Sequence, residues 1–161
     1  ADAEKLPYGE DTFDVVFSDA VIQHVPNDAL AVFEMARVVK PGGVVITAVV
    51  NRMSIHAFVR FVQRLFGFEN EYGSEKFYSR RELRHLMTRV GLDIEIEDGF
   101  YPAYGIYRLK KHNQVFGVLG RICNRATTFL DRISGGFVSV HFGFEILVVA
   151  RKRSSVSPIA R

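Results

Sequence analysis

The chain is poor in the residues that mark several common classes of protein. It has a single cysteine, Cys123, which excludes an intrachain disulfide framework and a cysteine zinc cluster. Its most apolar stretch, Val44–Val50, is far shorter than the roughly 20 residues that a membrane-spanning helix needs. No basic segment followed by an apolar run opens the sequence, as it would in a secretory signal. The sequence therefore predicts a soluble, cytoplasmic protein.

What the chain does contain is enough apolar surface for a core and an uneven charge. Its 161 residues are the length of one domain, and 48% of them are hydrophobic, with 14 phenylalanines and no tryptophan. Residues 1–100 carry 11 basic and 16 acidic side chains, a net charge of −5, whereas residues 101–161 carry 10 basic and 2 acidic ones, a net charge of +8. This asymmetry indicates either a basic face that meets an anionic partner or a solvated helix face with a basic tail.

The first fifty residues have the pattern of a strand–helix–strand unit. Phe13–Phe17 is short, apolar and β-branched, and Asn27 or Asp28 can cap a following helix. Lys40–Gly43, with the sequence Lys-Pro-Gly-Gly, would end that helix. Val44–Val50 shows no polar alternation, as in strands that are buried on both faces. Two such strands joined by a helix predict a parallel pair with a right-handed crossover.

The remainder of the chain continues the alternation of helices and strands. Met53–Phe66 is amphipathic, and Ser79 with Glu82 forms the pattern of a capping box at the start of another helix. Leu92–Glu97 alternates strictly between apolar and acidic residues, which predicts an edge strand with one wet face. Phe142–Ala150 is nearly continuous in apolar residues and predicts a more buried last strand. A helical stripe of apolar residues runs through the intervening segment, from residue 115 to residue 133.

These elements, in this order, resemble strands 4 to 7 of the class I, Rossmann-like S-adenosylmethionine-dependent methyltransferases. The small-molecule and quinone-type enzymes are the most similar subgroup. Five motifs carry the resemblance, namely Asp2–Pro7 (DAEKLP), Thr12–Val16 (TFDVV), Ala36–Gly43 (ARVVKPGG), Phe77–Leu83 (FYSRREL) and Val90–Leu92 (VGL). The resemblance implies an α/β fold in which the last strand inserts antiparallel between strands 5 and 6. It covers residues 1–100 well and the rest of the chain loosely.

The resemblance also implies a domain organisation. We expect a single, incomplete methyltransferase domain over residues 1–152, with a variable substrate-side insertion at 101–141 and a basic tail at 153–161. The glycine-rich loop that holds the cofactor in this family would precede Ala1, so we expect the N-terminal cofactor-binding half to be missing. The isolated chain would then bind S-adenosylmethionine poorly and be inactive by itself. The alternative is a non-catalytic half-domain that binds a partner, and the sequence leaves the oligomeric state open.

The resemblance assigns cofactor contacts to Asp2, Ala3, Ser18 and Asp19. The Asp2 carboxylate would accept a hydrogen bond from the adenine amino group, and the Ala3 N–H would meet a ring nitrogen. Asp2 could instead stabilise its own turn. Ser18 and Asp19 directly follow a strand, near the sulfonium in this fold, although either could cap a helix. His24 could take a proton from the acceptor as a catalytic base, or close the pocket by packing.

The predicted reaction is direct in-line methyl transfer to a small or lipid-like acceptor, in which the enzyme mainly aligns the reactants and excludes water. Aromatic side chains of two variable segments could line the acceptor pocket, namely Phe58, Phe66, Phe68, Tyr101, Tyr104 and Tyr107. The basic 101–141 segment could make a peripheral membrane contact. The histidines show no metal-ligand spacing and the basic residues no nucleic-acid motif, so we predict neither a metal nor a nucleic-acid partner.

Overall fold

A computed structural model describes residues 2–67, 75–100 and 114–154. These residues form one four-stranded sheet and five helices. In chain order the elements are β1 (Phe13–Asp19), α1 (Asp28–Val38), β2 (Val39–Val50), α2 (Ile55–Leu65), α3 (Arg80–Arg89), β3 (Leu92–Phe100), α4 (Gln114–Ser134), α5 (Phe137–Phe142) and β4 (Glu145–Lys152). The helical stripe predicted between residues 115 and 133 is thus confirmed as α4. The predicted last strand starts later than expected, because α5 includes Phe142.

The strand order is β1-β2-β4-β3, as the resemblance implies. β1 and β2 are parallel, and β4 is antiparallel to both of its neighbours, so the predicted insertion of the last strand is confirmed. Because β4 runs in the opposite direction, its first residue, Glu145, pairs with Val50 at the end of β2 and with Phe100 at the end of β3. The ends of β1, β2 and β3 and the start of β4 therefore meet at one side of the sheet, named here the carboxyl edge.

One face of the sheet, named here the core face, packs against α1 and α3. The core contains fully buried side chains from both helices and from the inner strands: Val32, Val45, Val49, Leu83, Met87, Ile146 and Val148. The caps that begin the helices are as predicted. Asn27 Oδ1 accepts a hydrogen bond from the Leu30 N–H (3.1 Å), and Ser79 and Glu82 form a complete capping box. Each large apolar side chain buried here contributes about 1.5–3 kcal/mol to folding.

The Lys-Pro-Gly-Gly segment was predicted to end α1, and this prediction is wrong. The segment lies inside β2. The pairing jumps from Phe13–Val39 to Val15–Val44, so the residues between bulge out of the ladder. Gly42 has a φ of +78°, and a Cβ on Gly43 would lie 2.8 Å from the backbone oxygen of Asp14. The two glycines are therefore required by the bulge at the start of β2.

The strict alternation predicted for the edge strand holds only as far as Ile94. A bulge lies between Ile94 and Ile96, and one extra residue reverses the side to which later side chains point. Ile96 is therefore 54% exposed on the opposite face. Glu97 takes its place beside α3, where Arg84 donates a hydrogen bond to its carboxylate at 2.8 Å.

The opposite face of the sheet, named here the open face, is apolar; its outer strands are exposed, whereas Ala48 and Val50 of β2 are buried. Phe17, Ile46, Val149 and Ile96 form a continuous row across the four strands by their pairing register. The outer two members are 65% and 54% exposed, and the inner two are partly buried. The alternating pleat puts apolar residues on both faces, as in a strand that is covered on both sides.

Candidate active site

The segment that precedes β1 lies along α1, and its first residues are near the carboxyl edge. The Asn27 N–H, at the start of α1, donates a hydrogen bond to the Glu4 carboxylate at 2.7 Å. At the other end of α1, Arg37 donates to the carbonyl oxygen of Tyr8 at 2.9 Å. Because α1 begins just beyond the end of β1, these contacts hold Asp2 on the side of the sheet where ligands bind in open α/β folds.

Asp2 and Ala3 offer an acceptor and a donor side by side. Asp2 Oδ1 accepts a hydrogen bond from the Glu4 N–H at 2.9 Å, which is the local turn considered as the alternative role for this aspartate. The carboxylate is exposed, and its second oxygen has no partner among residues 2–67, 75–100 and 114–154. Within the same residues, the Ala3 N–H donates no hydrogen bond. The predicted adenine contact is compatible with this geometry and stays a prediction.

The structure separates the two predicted contacts at the end of β1. Ser18 is buried on the core face, and its register partner on β2 is Thr47. Neither hydroxyl oxygen has a hydrogen-bond partner among the described residues. Burying a hydroxyl without a partner costs about 1–3 kcal/mol, which makes this pair an unusual feature of the core. Asp19, the next residue, is exposed on the other side of the strand.

Asp19 is held at the end of β1 by a sharp turn. Ala20 has a φ of +54°, in the left-handed region that residues with a side chain seldom adopt, and its N–H donates to the carbonyl oxygen of Ala48 at 3.0 Å. The Asp19 carboxylate makes no hydrogen bond or ion pair with another described side chain. The backbone is therefore strained at the point where the sequence places the predicted sulfonium contact.

Glu145 is a site residue that the sequence reading missed. It is half-buried at the start of β4, and its carboxylate has no hydrogen-bond or ion-pair partner in the part of the chain that the structure describes. Burial, and to a lesser extent the negative charge of Asp19, raise the pKa of Glu145 to about 7. A carboxyl group with this pKa can accept or release a proton near neutral pH. The available signal was a lone acidic residue in an apolar strand.

Most other carboxylates of the described residues are neutralised by a cation or a hydrogen-bond donor. The ion pairs are Glu34–Arg37, Asp14–Lys40, Glu82–Arg52, Asp28–Lys76, Glu97–Arg84, Glu95–Arg151, Asp11–Lys152 and Asp93–Arg153. Against this background, Asp19 and Glu145 leave negative charge uncompensated at the carboxyl edge. Such a site favours a cationic ligand.

His24 lies in the turn between β1 and α1, which the neighbouring Gln23 fastens to β2. The buried Gln23 amide accepts a hydrogen bond from the Val50 N–H at 2.9 Å and donates one to Glu75 at 2.8 Å. His24 is exposed, and its Nε2 lies 3.4 Å from Gln23 Nε2, which suits a ring that carries its proton on Nδ1. His24 is thus placed beside the last residue of β2, as a candidate base at the same edge.

The predicted aromatic lining of an acceptor pocket is not seen in the described residues. Phe58 and Phe66 are 66% and 75% exposed, and the remaining four aromatic residues lie outside the described ranges. Within those ranges, no group of three His, Cys, Asp or Glu side chains is placed to hold a metal ion. No helix that the structure describes is long and apolar enough to cross a membrane.

Comparison with known proteins shows which family this fold resembles. Residues 1–47 match a family model described as a methyltransferase domain. The fold is similar to that of an S-adenosylmethionine-dependent methyltransferase from Thermotoga maritima, described as a possible histamine N-methyltransferase. The TM-score is 0.63 at 17% identity, over 95% of this chain and 62% of that one. The fold is therefore that of the class I methyltransferase family. The cofactor of this family is S-adenosylmethionine.

The curated relatives that this chain resembles include enzymes of quinone biosynthesis. It is 26% identical over 147 residues to the ubiquinone/menaquinone biosynthesis C-methyltransferase UbiE of Coxiella burnetii, which covers 90% of the chain and 52% of that protein. It is 30% identical over 121 residues to a ubiquinone biosynthesis O-methyltransferase of Rhizobium leguminosarum, covering 70% of the chain and 47% of the relative. The chain thus spans about half the length of the curated relatives it matches.

The fold by itself does not decide which reaction occurs. The [4+2]-cyclase SpnF is similar to this chain with a TM-score of 0.60 at 18% identity, over 96% of the chain and 55% of that protein. A protein named for a cyclisation therefore shares the architecture. The chemistry has to be argued from the groups at the carboxyl edge.

Proposed function

We propose that this chain provides the methyl-transfer site of an S-adenosylmethionine-dependent methyltransferase that acts on a small or lipid-like acceptor of the quinone type. The observation that carries the proposal is the pair of unneutralised carboxylates, Asp19 and Glu145, at the carboxyl edge. The names of the curated relatives, which act in ubiquinone and menaquinone biosynthesis, support the acceptor class.

The described residues fit the methyl donor. S-adenosylmethionine supplies a methyl group on a cationic sulfur, a good leaving group that needs little acid catalysis. The Asp2 carboxylate and the free Ala3 N–H would bind its adenine, and the negative charge of Asp19 would favour its cationic end. The buried, unpartnered Ser18 hydroxyl lies on the core face, so we propose for it a lesser role than the other three residues.

Methylation of a hydroxyl group or a carbon acid requires that the acceptor lose a proton. The acceptor atom gains a bond to the methyl carbon, and its proton passes to a base at the carboxyl edge. We propose Glu145 as this base, because its raised pKa of about 7 lets it hold a proton at neutral pH. His24 is the alternative base, at the end of the neighbouring strand.

The decisive experiment measures S-adenosylmethionine affinity and methyl transfer to a short-chain hydroquinone, using the natural gene product. We expect Asp19→Asn to weaken donor binding by about tenfold, equivalent to about 1.4 kcal/mol. We expect Glu145→Gln to lower kcat and to remove the ionisation near pH 7 from the rate profile. If His24 is the base instead, His24→Asn will have that effect and Glu145→Gln will not.

The matched control is Asp93→Asn, which removes a carboxylate that already pairs with Arg153 on the far end of β4. It should change neither the affinity nor the rate. Unchanged donor affinity in Asp19→Asn, or an unchanged pH profile in both base variants, would contradict the proposal.

The open face supports a second candidate function, that of a non-catalytic half-domain that binds a partner. Val15 and Phe17 on β1 are 55% and 65% exposed, and β1 is an edge strand of the described sheet. Gel filtration with light scattering separates the candidates. A folded homodimer that Phe17→Ser dissociates would favour the binding module, whereas soluble aggregate would favour an incomplete methyltransferase domain.

A further inference from the structure

Helix α4 presents an apolar stripe to solvent. Val118, Ile122, Phe129 and Ile133 are between 47% and 70% exposed. On a helix that advances about 100° per residue, their positions fall within an arc of about 60°. A stripe this narrow and this apolar is typical of a helix that is covered by something apolar.

Three arginines line one side of this stripe. Arg121, Arg125 and Arg132 are exposed and fall within an arc of about 40° that adjoins the apolar one. None of them forms an ion pair with a carboxylate of the described residues. The one acidic residue of α4, Asp131, is occupied, because the Ser139 N–H donates to its carboxylate at 2.8 Å. The side of the stripe is therefore cationic and uncompensated, unlike the neutralised pairs of β3 and β4.

A second amphipathic helix leaves the sheet at the same edge. In α2, Phe58, Phe61 and Leu65 are 66%, 59% and 68% exposed. The segment that leads into α2 contacts the short helix that follows α4. Asn51 Nδ2 donates a hydrogen bond to the carbonyl oxygen of His141 in α5 at 2.9 Å. Since Asp131 joins α4 to α5, both exposed apolar stripes belong to elements anchored at the carboxyl edge.

We propose that α4 is an interfacial helix that docks the chain on an anionic lipid bilayer. Its four apolar side chains would enter the boundary between headgroups and acyl chains, and Arg121, Arg125 and Arg132 would contact lipid phosphates. The apolar stripe argues against a nucleic acid, whose backbone would leave it uncovered, and the unpaired arginines argue against a neutral apolar partner. The link to a lipid-like acceptor rests on the proposed function. The docking of α4 on a bilayer does not depend on methyl transfer.

The test is sedimentation of the chain with vesicles of phosphatidylcholine alone or with one quarter phosphatidylglycerol, at low and high salt and without a methyl donor. We expect binding only to the anionic vesicles, and less of it at high salt. Arg121→Gln/Arg125→Gln should weaken binding by about 30-fold, on the basis of about fivefold per arginine. Arg81→Gln/Arg89→Gln, which removes two exposed arginines of α3, is the matched control and should bind normally.

Phe129→Ser should weaken binding by about tenfold, whereas Phe17→Ser should not, although both phenylalanines are 65% exposed. Because Cys123 is the only cysteine, a Cys123→Ser/Phe129→Cys chain can carry a single polarity-sensitive fluorophore, whose emission should shift to the blue on anionic vesicles. An equal loss of vesicle binding in the two double arginine variants would overturn the proposal, and so would equal binding to neutral and anionic vesicles. Binding to a DNA duplex that Phe129→Ser leaves unchanged would also overturn it. Loss of methyl transfer with vesicle binding intact would contradict only the proposed function.

Discussion

The core face and the open face of the sheet are made by alternate residues of the same strands, yet the outer strands of the open face carry far more exposed side chains than the core face. Val45 and Val49 are fully buried under α1 and α3, whereas Phe17 and Ile96 are 65% and 54% exposed. The residue types are equally apolar on both sides. Burial therefore depends on where in the sheet a side chain lies and on what covers it, and the contribution of an apolar residue to stability cannot be read from its type.

The largest effect on stability is expected from a substitution on the core face. Leu83 of α3 is fully buried, so Leu83→Ala should lower the free energy of unfolding by about 2–5 kcal/mol through lost burial and a cavity. Phe17→Ala removes a larger side chain from the open face, yet it should change the free energy of unfolding by about 0.5 kcal/mol or less. Urea denaturation of both variants measures the difference. Similar losses would mean that the open face is covered in solution.

A buried hydrogen bond on the core side should give the next effect. The Tyr78 hydroxyl donates to Asp28 at 2.8 Å, and burial together with this carboxylate raises the pKa of Tyr78, so it stays a donor at neutral pH. Tyr78→Phe should cost about 1–2 kcal/mol of unfolding free energy, measured by thermal or urea denaturation. Tyr8→Phe, at an exposed position, is the control. An equal effect in the two variants would show that the Tyr78 hydroxyl contributes nothing.

Glu145 should make stability depend on pH. Its pKa is about 7 in the folded chain and 4.5 ordinarily, so the folded state binds more protons between these values and loses stability as the pH rises through that window. Glu145→Gln removes this loss and should be more stable than the natural chain at pH 8 by about 1 kcal/mol, after discounting for solvent screening. Denaturation at pH 5 and pH 8 tests the slope. A slope that the substitution leaves intact would have to come from other groups.

The smallest effect is expected at an exposed ion pair. Asp93 of β3 and Arg153, which follows β4, lie 2.7 Å apart, and the hydrogen bond from Arg153 lowers the pKa of Asp93. Because both side chains are exposed, Arg153→Gln should leave the denaturation midpoint unchanged within error at moderate salt. A measurable shift in the midpoint would indicate that this end of the sheet is less solvated than its exposure suggests.

Sequence patterns predicted the elements whose signals are local. The Ser79–Glu82 capping box, the cap at Asn27 and the long helix now seen as α4 follow from neighbouring residues, and the structure confirms them. Both bulges were missed. A bulge depends on how two distant strands pair, so the reversal at Ile96 leaves no mark in the alternation of its own strand.

The candidate site shows the same division. Asp19 was predicted because it follows a strand directly, and it lies at the carboxyl edge. Glu145 was not predicted as a site residue. Whether the first residue of a strand lies at the carboxyl edge depends on the direction of that strand in the sheet. Only the antiparallel insertion of β4 brings Glu145 to the end of β2, within electrostatic range of Asp19.

The sequence by itself indicated most of the helices and strands, where the capped helices begin, and which of their faces are apolar. Periodicity, capping residues and glycines act within a few residues of one another, so they can be read along the chain. The tertiary structure alone decided which apolar faces are buried, where the strand ladders bulge, and which carboxylates stay without a partner. Those outcomes depend on contacts between residues far apart in the chain, and no local pattern encodes them.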